Sequence, residues 1–226
     1  MNELKAEKYK ILASLMFPLA FVLLLWLIRY IEYATESDFT FLGTYPLHKE
    51  GLTGIITGPL IHANWKHLAN NSLPLLFLSW TIFYFYKEIA YKVFFLIYFL
   101  SQLWLWFFYV RPAWHIGASG LVYGMGTFIF VSGIIRKNRN LLAISLLVAF
   151  LYGGMVWGIF PYEEHISWEG HMMGMFAGII LAYYYKNYGP PRPNEAFEDE
   201  DDEDEDDFTD EYLYYTEDSP EEYNNP

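Results

Sequence analysis

Residues 117–135 read GASGLVYGMGTFIFVSGII, an apolar run that carries no charge and opens with a serine between small residues. A helix from Ser119 to Ile135 would be roughly 25 Å long at about 1.5 Å per residue, somewhat shorter than the ~30 Å of hydrocarbon in a bilayer. Such a helix would leave Ser119 below the membrane surface, beside the unpaired N–H groups of a helix N-terminus. We therefore interpret this stretch as a short membrane helix with a serine at its entrance.

Five more apolar runs occur in the chain, three before this stretch and two after it. The chain of 226 residues is 54% hydrophobic and 21% aromatic, and its apolar residues fall into blocks rather than being spread evenly. The other blocks span 11–31, 68–85, 93–110, 141–160 and 167–185. Because about 20 apolar residues cross the hydrocarbon, the sequence predicts an all-α membrane protein with six transmembrane helices and a short, central fourth helix. Long uncharged blocks with mostly short joints disfavour the alternative of a large soluble core.

Charge divides the chain into a membrane part and a tail. Of the 27 acidic residues, 17 lie from Glu195 onward, and the remaining 10 face all 14 basic residues, which gives the rest of the chain a net charge of +4. We predict an N-terminal segment at 1–10, a six-helix domain at 11–188 and an acidic tail at 189–226. The tail has too few apolar residues to bury a core, so we expect it to be disordered.

Basic residues also predict the orientation in the membrane. With the N-terminus in the cytoplasm, ten of the 14 basic residues fall on the inner side, as the positive-inside rule requires. We therefore predict a multi-pass protein of the cell membrane with both termini in the cytoplasm. The first outer joint, about 32–66, is long and partly apolar, which suggests a loop packed at the membrane interface. The first apolar block is too long for a cleavable signal peptide, and we expect it to remain as a helix.

Three polar clusters lie at the outer ends of predicted helices, where polar side chains are costly and usually functional. The first, around Ser119, combines a hydroxyl nucleophile with backbone N–H groups that could stabilise an oxyanion. Gly117 and Gly120 would permit the tight turn. Taken alone, this motif is also typical of helix packing.

The second cluster surrounds His171. Gly174 and Gly178 share its helical face and would allow a close approach to the helix that starts at Ser119. This approach could bring His171 within hydrogen-bond reach of Ser119, as a general base requires. Alone, His171 fits a packing histidine equally well.

The third cluster comprises His62, His67 and Asn71. His67 and Asn71 are four residues apart on one helical face, and both carry side-chain donors that could complete an oxyanion hole. An interfacial polar cap is the alternative interpretation of this cluster.

Other catalytic chemistries fit less well. The chain has no cysteine, which excludes disulfides, thiolate metal sites and cysteine nucleophiles. A metalloprotease is disfavoured because His165, Glu169 and His171 do not form a His-Glu-x-x-His run. We predict no metal and no cofactor. Glu163, Glu164 and Glu169 are expected to be solvated charges, so a Ser–His dyad is preferred to a triad. The chain also lacks the paired broken helices of a transporter.

The three clusters together resemble the rhomboid family of intramembrane serine proteases. The resemblance covers about residues 11–186 and includes the order, spacing and helix count. Its motifs are the His-x4-His-x3-Asn of the second helix, the Gly-x-Ser-Gly of the fourth with a tyrosine four residues after the serine, and the His-x-x-Gly-x-x-x-Gly of the sixth. The matching residues here are His62, His67, Asn71, Gly117, Ser119, Gly120, Tyr123, His171, Gly174 and Gly178.

The resemblance implies a role for each residue. Ser119 would be the nucleophile, and His171 the general base and then the acid. His67, Asn71 and the Ser119 N–H would bind the oxyanion, Tyr123 would stack on His171, and His62 would support the site. The family's first loop usually carries a Trp-Arg pair, and this sequence has none between residues 32 and 66.

The function implied is endoproteolysis in or near a transmembrane segment of a membrane-protein substrate, with the active site towards the outer face. The bilayer and that substrate are the expected partners, and no nucleic acid is expected. The alternative is a non-catalytic rhomboid-like protein that binds membrane clients. Such relatives lack the serine or the histidine, and this chain carries both.

Overall fold

The computed structural model describes residues 3–108, 112–151, 158–160 and 167–191. These residues form seven α-helices and no strand beyond one isolated bridge. The helices are α1 (Glu3–Ala34), α2 (Gly54–Thr57), α3 (Trp65–Phe85), α4 (Ala90–Phe107), α5 (Ser119–Ile135), α6 (Arg139–Leu151) and α7 (Trp168–Tyr184).

Helix α5 occupies the middle of the bundle. It packs against α3, α4, α6 and α7, and its contact with α7 is the most extensive in the structure. Its 17 residues are mostly buried, among them Phe128 and Ile129, which are fully enclosed. The predicted bounds of this helix, 119–135, agree with the observed ones.

Helix α1 lies on the outside of the bundle, against α3. The indoles of Trp26 and Trp80 donate hydrogen bonds to the hydroxyls of Ser72 and Ser14, each at 3.0 Å, and so link the two helices at two points along their length. Much of the remaining α1 surface is exposed and apolar, including Met16, which suits contact with lipid better than with water.

The segment between α1 and α3 folds back on itself. It contains α2 and short 3-10 turns at Thr40–Leu42, Lys49–Leu52 and Gly58–Leu60. An added Cβ at Gly54 would lie 2.0 Å from the carbonyl oxygen of Gly43, so two segments of this loop touch through their backbones. The loop is therefore a packed element rather than a free linker. The two helices that flank the loop are linked where the Arg29 guanidinium of α1 lies over the Trp65 ring of α3, 5.6 Å from the ring centroid.

A buried arginine fixes the chain after α7. Arg136, at the C-terminal end of α5, donates hydrogen bonds to the carbonyl oxygens of four residues of the segment that follows α7. The four accepting residues are Lys186, Tyr188, Gly189 and Pro190, at distances of 2.7 to 3.4 Å. We call this set of contacts the Arg136 clamp.

The described helices fit a helical membrane protein. Two of them, Leu4–Ala34 and Ala90–Phe107, are long and apolar enough to cross a membrane alone, and α5 and α6 are shorter apolar helices. Helix α1 begins at Glu3, ahead of the apolar block, because Glu, Lys and Ala at its start also favour a helix. The six-span count and the domain boundaries stay predictions. The acidic tail from residue 192 onward lies outside the described residues.

Candidate active site

Ser119 and His171 are in direct contact. The Ser119 Oγ lies 2.8 Å from the His171 Nε2, although the two residues are 52 positions apart in the chain. Ser119 is the first residue of α5, and His171 lies in the first turn of α7. The contact exists because two helix N-terminal ends lie side by side.

A backbone carbonyl fixes the orientation of the His171 ring. The Nδ1 of His171 is 2.6 Å from the carbonyl oxygen of Gly158, which can only accept a hydrogen bond. The Nδ1 therefore carries the proton, and in the neutral ring the Nε2 is left as an acceptor. It follows that the Ser119 hydroxyl donates its hydrogen bond to Nε2, the arrangement in which an imidazole can remove the hydroxyl proton.

Tyr123 holds the His171 ring from one face. The two rings are stacked with centroids 4.1 Å apart and planes inclined by 11°. Tyr123 lies one turn after Ser119 on α5, so the same helix supplies both the hydroxyl and the stacking partner. The stacking restrains the imidazole from tilting out of its plane, and the hydrogen bond to Gly158 restrains its rotation within the plane.

Glycines bring α5 and α7 together. An added Cβ at Gly174 would lie 2.0 Å from the carbonyl oxygen of Gly120, and one at Gly178 would lie 2.2 Å from that of Gly124. We call these four residues the glycine seam. No side chain fits between the helices there, and this closeness lets a serine on one helix reach a histidine on the other.

His67 and Asn71 lie beside the backbone that precedes Ser119. An added Cβ at Gly117, whose φ is +111°, would be 2.7 Å from the His67 ring and 3.6 Å from the Asn71 Nδ2. The Asn71 amide nitrogen is buried and has no hydrogen-bond partner among the described residues. A buried donor without a partner is costly, and its position next to the entrance of α5 suits an acceptor supplied from outside the chain.

His62 supports the turn before Ser119. Its Nε2 is 3.4 Å from the backbone nitrogen of Ala118, which donates to it, and its Nδ1 is 3.4 Å from the carbonyl oxygen of Leu60. The side chain is 1% exposed. Burial, together with the nearby His67, lowers the pKa of His62 to about 3, so this ring is neutral and can accept from Ala118.

Glu169 differs from the sequence-based expectation. It was expected to be solvated, but its side chain is 2% exposed. It lies in the first turn of α7, where the positive end of the helix dipole favours a carboxylate. Residues 163–165, the other members of the predicted acidic and histidine cluster, lie outside the described part of the chain.

The sequence analysis missed the role of Gly158. A backbone carbonyl leaves no mark in a sequence, because every residue carries one. The only available signal was that a catalytic imidazole needs a partner on its second nitrogen.

The site therefore combines three capacities. It has a hydroxyl aligned on an imidazole acceptor, a buried amide donor without a partner, and the N–H groups of a helix N-terminus. These are the elements of acyl transfer by a serine nucleophile. Their roles as catalytic groups stay predictions.

A family model and one named relative give the same family for this chain. A model of the Rhomboid domain matches residues 49–188 of the chain. An uncharacterized protein of Mycobacterium tuberculosis is 36% identical over 173 residues, which covers 73% of this chain and 72% of the relative. An uncharacterized protein of Mycobacterium leprae is 31% identical over 196 residues, covering 80% and 74%. A protein of Acanthamoeba polyphaga mimivirus that is named as a rhomboid protein is 28% identical over 166 residues, covering 70% and 91%.

Proposed function

The chain belongs to the rhomboid family, and from that membership we propose that it is an intramembrane serine endopeptidase. Members of this family are usually serine proteases that act in membranes on transmembrane substrates. The single observation that carries the proposal is the 2.8 Å contact between the Ser119 Oγ and the His171 Nε2. The proton on Nδ1, held by the Gly158 carbonyl, gives this contact the polarity that a general base needs.

The first half of the reaction forms an acyl-enzyme. The Ser119 Oγ attacks the carbonyl carbon of the substrate peptide bond while its proton passes to the His171 Nε2. The resulting oxyanion accepts hydrogen bonds from the Asn71 amide, the His67 ring and the Ser119 N–H. The protonated His171 then gives its Nε2 proton to the leaving amine, and the C–N bond breaks.

The second half releases the acid product. Water attacks the ester carbon and gives a proton to the His171 Nε2. The tetrahedral intermediate collapses, and His171 returns that proton to the Ser119 Oγ. The dyad ends in its starting protonation state, and no cofactor is required by this sequence of steps.

The substrate proposed is a membrane protein cut in or near a transmembrane segment. The partly buried position of Ser119 at the entrance of a short helix supports a peptide bond delivered from within the bilayer. Because a helical peptide bond is shielded by its own hydrogen bonds, the segment must unwind locally before attack. We place the protein in the cell membrane with its termini in the cytoplasm and the site towards the outer face.

Cleavage of a model substrate tests this proposal. Purified full-length protein in detergent is incubated with a single-span membrane protein, and the products are resolved by gel and mass spectrometry. We expect one or few cuts near the membrane segment, and loss of cleavage in Ser119→Ala and in His171→Ala. A serine-reactive fluorophosphonate should label the parent and not Ser119→Ala.

Absence of cleavage by both the parent and Ser119→Ala would contradict proteolysis. If both bound the substrate without cutting it, the chain would be a client-binding member of the family instead. Cleavage that persisted in Ser119→Ala would assign the nucleophile to another residue.

A further inference from the structure

A second Ser–His contact lies beside the first. The His115 Nδ1 is 2.6 Å from the Ser167 Oγ. His115 precedes Ser119 by four residues, and Ser167 precedes His171 by four. The same pair of chain segments is therefore joined twice, with the serine and the histidine exchanged between them.

The His115 side of this contact is fixed by backbone and burial. His115 and Thr44 exchange two backbone hydrogen bonds, at 2.9 and 2.8 Å, which form the one isolated bridge among the described residues. The hydroxyl of Thr44 donates in turn to the Gln102 Oε1 on α4 at 2.7 Å. His115 is 4% exposed, so it is shielded from a substrate as well as from solvent.

The Ser167 side controls the start of α7. Ser167 is the N-cap of this helix, and its Oγ accepts from the Gly170 N–H at 3.4 Å. Its carbonyl accepts from the His171 N–H at 3.2 Å. A movement of Ser167 would therefore move the turn that carries His171, about 6 Å further along the helix.

We propose that His115 and Ser167 form a positioning pair that holds the first turn of α7 at the register in which the His171 Nε2 meets Ser119. This inference rests on the proposed protease function. Neither residue touches the reacting atoms. The pair acts by setting the position of His171. A displacement of a catalytic group by about 1 Å can reduce the reaction rate about 100-fold.

The central variant is His115→Phe, which retains an aromatic ring at the position and removes the hydrogen bond. Its matched partners are Ser167→Ala, which removes the hydroxyl, and Ser167→Thr, which keeps both the hydroxyl and the helix cap. The double variant His115→Phe/Ser167→Ala completes a cycle that isolates the interaction from the separate effects of each change.

The experiment measures kcat and KM for a single-span substrate with full-length protein in detergent, together with the rate at which a fluorophosphonate labels Ser119. We expect His115→Phe to lower kcat and the labelling rate about 10- to 100-fold while KM changes less than about twofold. Ser167→Thr should stay near the parent. The double variant should be no slower than the slower single variant.

Three results would overturn the inference: a kcat of His115→Phe within about twofold of the parent, a loss carried by KM instead, or losses that multiply in the double variant. A melting curve of each protein checks that it is folded at the assay temperature. If His115→Phe is not folded there, His115→Asn takes its place, because its amide can occupy the position of Nδ1. Near-parental kcat in that variant supports the pair, and a tenfold loss counts against it.

The activity of the parent protein distinguishes failure of this inference from failure of the proposed function. A parent that neither cleaves nor reacts with the probe would reject the protease proposal, and the positioning pair with it. An active parent with an equally active His115→Phe would reject the pair alone.

Discussion

At the scale of single residues, the position of one proton determines what Ser119 can do. Because the Gly158 carbonyl holds the proton of His171 on Nδ1, the lone pair of Nε2 faces the serine hydroxyl. With the other tautomer, the Nδ1 lone pair would face the Gly158 carbonyl, two acceptors together, and the Nε2–H would donate to the Ser119 hydroxyl, which would then have no base. The proposed chemistry thus depends on a backbone atom 13 residues away in the chain.

Asn71 gives a sharp prediction at this scale. Its buried Nδ2 has no partner among the described residues, so it is available to the oxyanion of the proposed reaction. We expect Asn71→Ala to reduce kcat by about 10²–10³-fold with little change in KM. The neighbouring Asn70 is exposed, and Asn70→Ala is the matched control. Steady-state cleavage kinetics of both variants test this role. A kcat of Asn71→Ala close to that of Asn70→Ala would show that Asn71 does not bind the oxyanion.

His62 predicts how stability changes with pH. Burial lowers its pKa to about 3 in the folded protein from an ordinary value of 6.5, so protons bind the unfolded chain more readily. The stabilising contribution is complete above pH 6.5 and is lost as the pH falls from there towards 3. Between pH 7.5 and pH 5 the parent should lose about 2 kcal/mol more than His62→Gln. Reversible unfolding in mixed micelles at the two pH values measures this difference, and parallel losses in both proteins would refute it.

The sequence allowed prediction of those site residues whose polar side chains are rare in membrane helices. Ser119, His171 and Asn71 are polar groups in otherwise apolar blocks, and polarity at membrane depth is conspicuous. The carbonyl of Gly158 and the contact between His115 and Ser167 were not predictable. The first leaves no sequence signal, and the second depends on how two distant segments meet.

At the scale of elements, the glycine seam decides how closely α5 and α7 approach. Gly174 and Gly178 leave no room for a Cβ against the backbone of α5. The sequence predicted this contact, because small residues four apart on both helices form complementary surfaces. It could not predict that α1 begins as early as Glu3 or that the first loop contains α2, since segments of only a few residues carry too little periodicity.

Gly174→Ala tests the seam. The added methyl group would lie 2.0 Å from the Gly120 carbonyl oxygen, so the helices must separate. Overpacking of this kind typically costs about 1–3 kcal/mol, and the separation should also lower kcat because Ser119 and His171 move apart. Ile180→Ala on the exposed face of α7 is the control and should change both quantities little. Unfolding in mixed micelles and cleavage kinetics provide the measurements. A Gly174→Ala protein with unchanged stability would show that the helices are less tightly apposed.

At the scale of the whole molecule, the distribution of charge predicts the orientation in the membrane. The absence of cysteine from the sequence allows a clean test with single introduced cysteines. Ser37 lies after α1 and Asn140 lies near the start of α6, and both are exposed. We expect a membrane-impermeant maleimide to label Ser37→Cys in intact cells, and Asn140→Cys only after the membrane is permeabilised. The opposite pattern would invert the topology and place the active site on the cytoplasmic side.

The Arg136 clamp has a consequence for the acidic segment that follows it. Since one guanidinium holds the carbonyls of Lys186, Tyr188 and Pro190, the chain leaves the helices from a fixed point tied to the end of α5 opposite Ser119. Removal of everything after residue 191 would spare every hydrogen bond of that anchorage. We therefore expect a protein that ends at residue 191 to keep the end of α7 tied to the end of α5.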